Sequence, residues 1–338
     1  MKVVELQNSF GLESLAVANR AEPKPGPGQV LVRMRAASLN FRDLLTLDGK
    51  YGSMQKRENL ILLSDGAGEI AELGVGVKEW KIGDRVVGCF FPHWQDGEPQ
   101  EYLLRDAPGG LADGVASQHR VFNSDAILPI PQQLSFVEAA TLPCAAITAW
   151  SALRVALKTG PEHIVLTQGT GGVSLFALQF AKAAGATVIA TSSSEAKLDR
   201  LRSLGADHVI NYRDDAEWGK TARKLTNGRG VDLVVEVGGA GTIKQSIRAS
   251  KLGGTVALIG VVAGPSLDFL LPLITMNMLN VVGVALGNRR QFADMLRAIG
   301  HHVIKPVVDR TFPLAELPDA LMWLQGGRHV GKVCIEID

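Results

Sequence analysis

The chain has 338 residues, 46% of them hydrophobic, with 35 Lys and Arg against 34 Asp and Glu and a formal net charge of +1. That length exceeds a typical single domain, and the even charge balance argues against nucleic acid or an anionic membrane as the main partner. Three cysteines, Cys89, Cys144 and Cys334, lack Cys-x-x-Cys spacing, so they offer neither a disulfide framework nor a clustered metal site and fit a reducing cytosol.

The first residues, Met1-Lys2-Val3-Val4-Glu5-Leu6, lack the continuous apolar stretch of a signal sequence, and no apolar run approaches the ~20 residues of a membrane span. A soluble, cytoplasmic protein is expected. Up to about residue 125 the texture is short β-type runs, 30–35, 66–73 and 84–88, punctuated by Gly and Pro, which predicts a compact β-rich domain. The Pro and Gly cluster over 23–28 reads as a surface loop. From Ser135 the pattern changes to helix-strand alternation, opening on a serine cap with Glu138 three residues later. A helix is predicted over 148–157, leading into a strand.

Residues 164–174, Ile-Val-Leu-Thr-Gln-Gly-Thr-Gly-Gly-Val-Ser, run from that strand through a glycine turn into a helix former. Gly169 permits the sharp turn, Gly171 and Gly172 let the backbone approach phosphates, and the first helical turn supplies N–H donors. Strand, glycine turn and helix in that order suit a dinucleotide pyrophosphate. Further strands are predicted over 185–191, 209–212, 231–236 and 255–260. The second strand ends in Thr191-Ser192-Ser193-Ser194, with Lys197 one turn later, where NAD sites usually carry a carboxylate. Small hydroxyls and a cation suit a 2′-phosphate, and Tyr212 can lie against the adenine or donate to that phosphate, so NADPH is the expected cofactor. The alternative is that Ser194 caps a helix and Lys197 faces solvent.

The stretch 269–284, rich in Leu, Ile, Met and Val, is more apolar than a solvent-facing edge should be, which suggests a homodimer paired through strand edges. A helix and strand buried within one subunit is the other reading. A helix start is predicted over 312–323, and a terminal strand over 331–337 is expected to return to the first domain.

Four stretches resemble the medium-chain dehydrogenase/reductase superfamily, and more narrowly its zinc-free quinone oxidoreductase-like branch: Pro25-Gly26-Pro27-Gly28-Gln29-Val30-Leu31-Val32, Asn40-Phe41-Arg42-Asp43-Leu44, Gly83-Asp84-Arg85-Val86-Val87-Gly88 and Gly169-Thr170-Gly171-Gly172-Val173. The closing Gly331-Lys332-Val333 is similar too, and the match covers nearly the whole chain. The resemblance implies an α/β chain with a Rossmann doubly wound parallel sheet domain over 147–285. It also implies a GroES-like β-rich catalytic domain made of 1–146 with 286–338, and an active cleft between the two. Where zinc-dependent members have a ligating Cys this chain has Asn40, and where they have Gly-His-Glu it has Leu63-Ser64-Asp65. Cys144 stands at the third ligand position, and Pro92-His93-Trp94-Gln95-Asp96-Gly97 has none of the cysteines of a structural zinc lobe. No metal is expected.

The expected cofactor contacts are Asn40, Thr148, Gly169, Thr170, Gly171, Gly172, Val173, Ser192, Ser193, Lys197, Tyr212, Gly260, Val261 and Asn288, with the resemblance implying Asn40 near and Thr148 against the nicotinamide. Four residues are catalytic candidates. Asn40 can hold the cofactor carboxamide or polarise a carbonyl. Tyr51 can donate a proton or wall the pocket. Asp65, in the former metal pocket, can donate a proton if burial raises its pKa, or pair with a cation such as Arg42. His93 can act as a general acid or lie on the surface beside Trp94. Asp43 reads as a local backbone brace.

Without a Lewis acid, passing hydride to an already electrophilic acceptor is easier than oxidising an alcohol, so a reductase of quinones or α,β-unsaturated carbonyls is expected. A zinc-free alcohol dehydrogenase or aldehyde reductase is one alternative, and a non-catalytic NADPH-binding sensor or structural protein is another. The loops over 51–60 and 91–120 set the pocket, and 98–118 reads as a lid or a plain insertion.

Overall fold

The computed structural model describes residues 1–7, 9–55, 59–156, 159–266 and 271–338. Residues 56–58 of the 51–60 loop, the end of the predicted helix at 157 and the first two residues of the apolar stretch 269–284 lie outside the described residues. The chain divides into two compact units, one of Met1–Ile147 with Gly287–Asp338 and one of Thr148–Leu286.

The first unit begins with strands β1 (Lys2–Leu6), β2 (Leu15–Asn19) and β3 (Gln29–Ser38), helix α1 (Phe41–Leu47), strands β4 (Leu60–Ile61), β5 (Asp65–Leu73), β6 (Arg85–Gly88), β7 (His119–Asn123) and β8 (Ile127–Pro129), and helix α2 (Phe136–Ala140). Its long antiparallel pair is β3 with β5, in which Val32 faces Ile70 and Ser38 faces Asp65, so the end of β3 and the start of β5 meet. Val30, Val32, Met34 and Ile70 fill the core on one face, the period-two burial that fixes register. Helix α1 starts in a capping box: the Asn40 backbone N–H donates to Asp43 Oδ2 at 2.7 Å. Helix α2 starts in another, with Ser135 Oγ accepting from the Glu138 N–H at 3.1 Å, as its sequence spacing predicts. A π-helical turn over Leu142–Ala146 follows it.

The stretch 98–118 behaves as two pieces. Gly114, Val115 and Ala116 donate backbone hydrogen bonds to Ile61, Leu63 and Leu62 at 2.7, 2.9 and 3.0 Å, and Val115 and Ala116 are fully buried. Residues 114–116 are thus fixed parts of the core, and a lid reading can apply only to the more exposed residues 98–106.

The second unit begins within helix α3 (Ile147–Ala156). It comprises β9 (Ile164–Gln168), α4 (Gly172–Ala183), β10 (Thr187–Ser192), α5 (Glu195–Ser203), β11 (His208–Asn211), α6 (Trp218–Leu225), β12 (Val231–Glu236), α7 (Ile243–Ala249), β13 (Ser250–Leu258), α8 (Pro272–Thr275) and β14 (Asn280–Gly283). Its six strands are all parallel, in the order β11-β10-β9-β12-β13-β14. Parallel strands covered on both faces read as continuous apolar runs, and all of Val231 to Glu236 is buried. Asp232 ties two strands together by accepting from the Ile164 N–H at 2.8 Å, while Arg229 and Lys251 neutralise it.

The chain then returns to the first unit through α9 (Arg289–His302), β15 (Val308–Pro313), α10 (Leu317–Gln325) and β16 (Lys332–Glu336). Strand β16 pairs antiparallel with β3, setting Cys334 opposite Ser38, and completes the sheet β15-β16-β3-β5-β6-β8, with β7 also paired to β3. The helix start predicted over 312–323 is corrected: Phe312 and Pro313 end β15, paired parallel to Ile335 and Glu336, and the helix begins at Leu317. Strand pairing prevails over the apolar pattern there because Pro313 sits at the strand's last position, where its missing N–H costs little.

Candidate functional site

In the second unit, β9 ends at Gln168 and the chain turns at Gly169, which has φ +72°, a conformation that favours glycine. A Cβ at Gly169 or Gly171 would meet no atom within 4 Å, so this turn is an open cradle rather than a packed crossing. Gly171 is the N-cap of α4 and supplies no side-chain cap, which leaves the first-turn N–H groups for a ligand. Ser174 Oγ donates to the Gln168 carbonyl at 2.5 Å and the Gly169 N–H donates to Thr191 O at 2.7 Å, so the turn is fixed from α4 and from β10.

Strand β10 delivers Ser192 and Ser193 to the same end of the sheet, and the Tyr212 N–H donates to Ser192 O at 3.0 Å. Tyr212 is exposed, and Lys197 lies in the first turn of α5. Glu195 and Asp199, two residues to either side of Lys197, are both held by Arg202 at 2.6 Å. These features fit a dinucleotide with its adenosine end beside β10. Thr148 and Thr170 are buried. Gly260 packs against the Val237 carbonyl, which a Cβ there would meet at 2.4 Å. Val261 borders an apolar cavity of about 190 Å3 lined by Ile243, Ile247 and Ile274.

In the first unit a buried polar cluster forms where β3, β5 and β16 meet. Asp65 is fully buried; Ser64 Oγ donates to its Oδ1 at 2.6 Å, and the Cys144 N–H, presented by the π-helical turn, donates to its Oδ2 at 3.0 Å. Asn40 Nδ2 is 3.5 Å from Ser64 Oγ, and Lys332 Nζ donates to Asn40 Oδ1 and to the Leu39 carbonyl, both at 2.5 Å. Burial pushes the Asp65 carboxyl above its ordinary value, opposed by the Lys332 charge and by hydrogen bonds from Ser64, Asn40 and the Cys144 N–H. Burial pushes Asp43 up to about 6, opposed by Arg42 and the Asn40 N–H.

Asn40 and Asp65 therefore belong to one cluster, but Asp65 is balanced by Lys332 and not by Arg42. Arg42 lies 3.4 Å from Asp43, donates to the Pro108 and Gly109 carbonyls at 3.0 Å each, and sits 4.8 Å from the Tyr51 ring and 5.2 Å from the Phe90 ring. Tyr51 thus packs on a guanidinium beside the cluster. His93 is 41% exposed by side chain and its Nε2 lies 3.2 Å from Asp106, so its partner is a surface carboxylate. Asn288 caps α9 by accepting from the Gln291 N–H at 2.8 Å and donates to Gly97 O at 3.3 Å.

Sequence reasoning missed Lys332 as a member of the cluster. Its signal was a lysine inside an apolar terminal strand, directly after Gly331, whose φ of +90° favours glycine.

The fold family implies a catalytic zinc, and the donors here do not match one. Among the described residues no three His, Cys, Asp or Glu side chains converge on a point. Asp65 and Cys144 share the cluster with the Lys332 ammonium, and burial together with the Asp65 charge raises the Cys144 thiol, which opposes the thiolate a metal needs.

Two family models match the chain: an alcohol dehydrogenase GroES-like domain over residues 26–132 and a zinc-binding dehydrogenase domain over 172–300. A zinc-type alcohol dehydrogenase-like protein of Schizosaccharomyces pombe is 42% identical over 93% of this chain and 92% of its own. An acryloyl-coenzyme A reductase of Metallosphaera sedula is 29% identical over 93% of this chain and 94% of its own. A mycobacterial protein solved in complex with NADPH superimposes with a TM-score of 0.84 at 25% identity, over 99% of each chain. With a GroES-like unit, a six-stranded parallel Rossmann sheet and these relatives, the chain belongs to the medium-chain dehydrogenase/reductase superfamily and is an oxidoreductase of that family.

Proposed function

We propose that this chain is a zinc-independent, NADPH-dependent reductase that passes hydride to quinones or to the β-carbon of α,β-unsaturated carbonyls. The observation that carries the reading is the Lys332-Asn40-Ser64-Asp65 cluster, a hydrogen-bonded set containing its own cation in place of a three-ligand metal site. Lacking a Lewis acid, such a site suits an acceptor that is electrophilic already. The dinucleotide supplies the hydride when bound. Gly169, Thr170, Gly171, Gly172 and Val173 hold its pyrophosphate, Ser192, Ser193, Lys197 and Tyr212 its 2′-phosphate end, and Thr148, Gly260, Val261 and Asn288 complete the set with Asn40. Asn40 stabilises charge on the acceptor oxygen, Asp65 accepts from Ser64 and balances Lys332 behind it, Tyr51 walls the pocket, and His93 is the weakest of the four catalytic candidates because it is exposed. The active form is a cytosolic homodimer.

A second reading, alcohol oxidation or aldehyde reduction, is supported by the name of the Schizosaccharomyces pombe relative. The two separate in one anaerobic assay: chelator-treated protein with NADPH is offered 1,4-benzoquinone, an enone and a saturated aldehyde. Turnover of quinone or enone that survives chelation supports the proposal. Turnover of the aldehyde alone favours the second reading, loss on chelation refutes zinc independence, and tight NADPH binding without turnover favours a sensor.

A further inference from the structure

Lys332 is 4% exposed, and its hydrogen-bond partners among the described residues are two neutral oxygens, Leu39 O and Asn40 Oδ1. Desolvating an ammonium is costly unless negative charge balances it nearby. The balancing charge comes foremost from Asp65, fully buried and with its pKa drawn down by the Lys332 charge, which draws down that of Asp43 as well. Between them stands the Asn40 carboxamide, which accepts from Lys332 at Oδ1 and turns its Nδ2 toward Ser64 and Asp65. Ser64 Oγ in turn donates to Asp65 at 2.6 Å. The direction of this chain follows from its chemistry. An ammonium only donates, so a flipped Asn40 would set an NH2 group against it and leave Ser64 facing an acceptor it cannot also serve while bonded to Asp65.

We propose that Lys332 is a positioning residue for the candidate catalytic cluster: its ammonium locks the Asn40 amide with the N–H end toward Ser64 and Asp65, and polarises that amide. Charge drawn toward Oδ1 makes the Nδ2 hydrogens more positive, so a neutral side chain stabilises negative charge on neighbouring oxygens as a charge-assisted donor. The cation acts one residue away, through the Asn40 amide. The inference rests on the proposed reductase reading for its kinetic consequence and on the cluster alone for its structural one.

The test compares Lys332→Met, Lys332→Arg and Asn40→Leu with the wild-type chain. Its readouts are kcat and KM for benzoquinone and an enone, NADPH Kd by nucleotide fluorescence, thermal midpoint, and the side-chain amide signals of 15N-labelled protein. In Lys332→Met, kcat is expected to fall about tenfold or more, less than the 10²–10³ of a directly donating group, with NADPH Kd within about twofold. Lys332→Arg recovers part of the loss. The Asn40 amide pair, identified by its disappearance in Asn40→Leu, shifts in Lys332→Met. An unchanged kcat with an unshifted amide pair overturns the proposal, and so does a kcat loss that tracks NADPH Kd or the thermal midpoint. If the wild-type chain reduces no acceptor, the reductase reading fails by itself, and the amide signal alone then decides the positioning role.

Discussion

Gln168 and Glu236 close the neighbouring parallel strands β9 and β12, and Gln168 Nε2 donates to the fully buried Glu236 Oε2 at 2.8 Å. Glu236 accepts further from the Gly238 and Gly239 N–H groups at 2.8 and 2.9 Å, from Thr242 Oγ1 at 2.5 Å and from Ser246 Oγ. Gln168 Oε1 takes the Val237 N–H at 3.2 Å. The glycine turn that starts at Gly169 and the loop that leaves β12 are thereby one braced piece. Glu236→Gln sets an NH2 group among these donors, leaving buried donors unpaired at a cost of about 1–3 kcal/mol. A thermal midpoint lowered by several degrees is expected, with weaker NADPH binding by fluorescence titration. A midpoint and affinity equal to wild type would show that the brace does not govern the turn.

In the proposed reading cofactor choice turns on Lys197, in the first turn of α5, and Tyr212, directly after β11. Lys197→Ala is expected to raise KM for NADPH about tenfold, the scale of one lost charge-assisted phosphate contact, while KM for NADH stays nearly constant. Equal changes for both nucleotides would mean that Lys197 does not read the 2′-phosphate. Tyr212→Phe separates stacking from donation, since only the hydroxyl is lost.

Two buried aspartates give pH slopes of opposite sign. Burial raises Asp43 to about 6, so between about pH 4, where the unfolded group titrates, and about 6 the folded chain holds the extra proton, and stability falls as pH rises. Asp232 behaves in reverse: against its burial, Arg229, Lys251 and the Ile164 N–H hold it down to about 2, so its contribution is present above about pH 4 and lost on acidification. Urea midpoints at a series of pH values are expected to lose the upper slope in Asp43→Asn and the lower one in Asp232→Asn. Persistence of the upper slope in Asp43→Asn would assign it to another group.

The glycine turn, the capping box at Ser135 and the strands over 164–168 and 231–236 were legible because each rests on local chemistry: an open φ, a side chain reaching three residues, or a short run rich in Val, Ile and Leu. The same holds for Asp43 as a backbone brace. What sequence could not supply was long-range pairing. Lys332 meets Asn40 only because β16 crosses 292 residues of chain to pair with β3, and no spacing rule reaches that far. Arg42 was an available partner for Asp65 by proximity in sequence, yet it turns to Asp43 and the Pro108 and Gly109 carbonyls, and Lys332 takes its place. Segment 98–118 looked like one loop by composition, and only the backbone bonds to 61–63 divide it.

Strand β14 is the last strand of its sheet, and around it Leu271, Met276 and Met278 are 68%, 77% and 63% exposed. An unpaired strand edge flanked by such side chains is a template for another chain, and the proposed homodimer pairs two such edges around a twofold axis, each edge meeting its own copy. Val281 lies in β14 and is also exposed, so Val281→Lys sets a charge within the contact and, by symmetry, brings a second one from the partner copy into it. Sedimentation at micromolar concentration is expected to give a dimer for the wild-type chain and a monomer for the variant. NADPH Kd should be retained in both, because the glycine turn follows β9, which is separated from β14 by β12 and β13. A wild-type monomer would refute the dimer outright, and a Val281→Lys dimer would move the interface away from this edge.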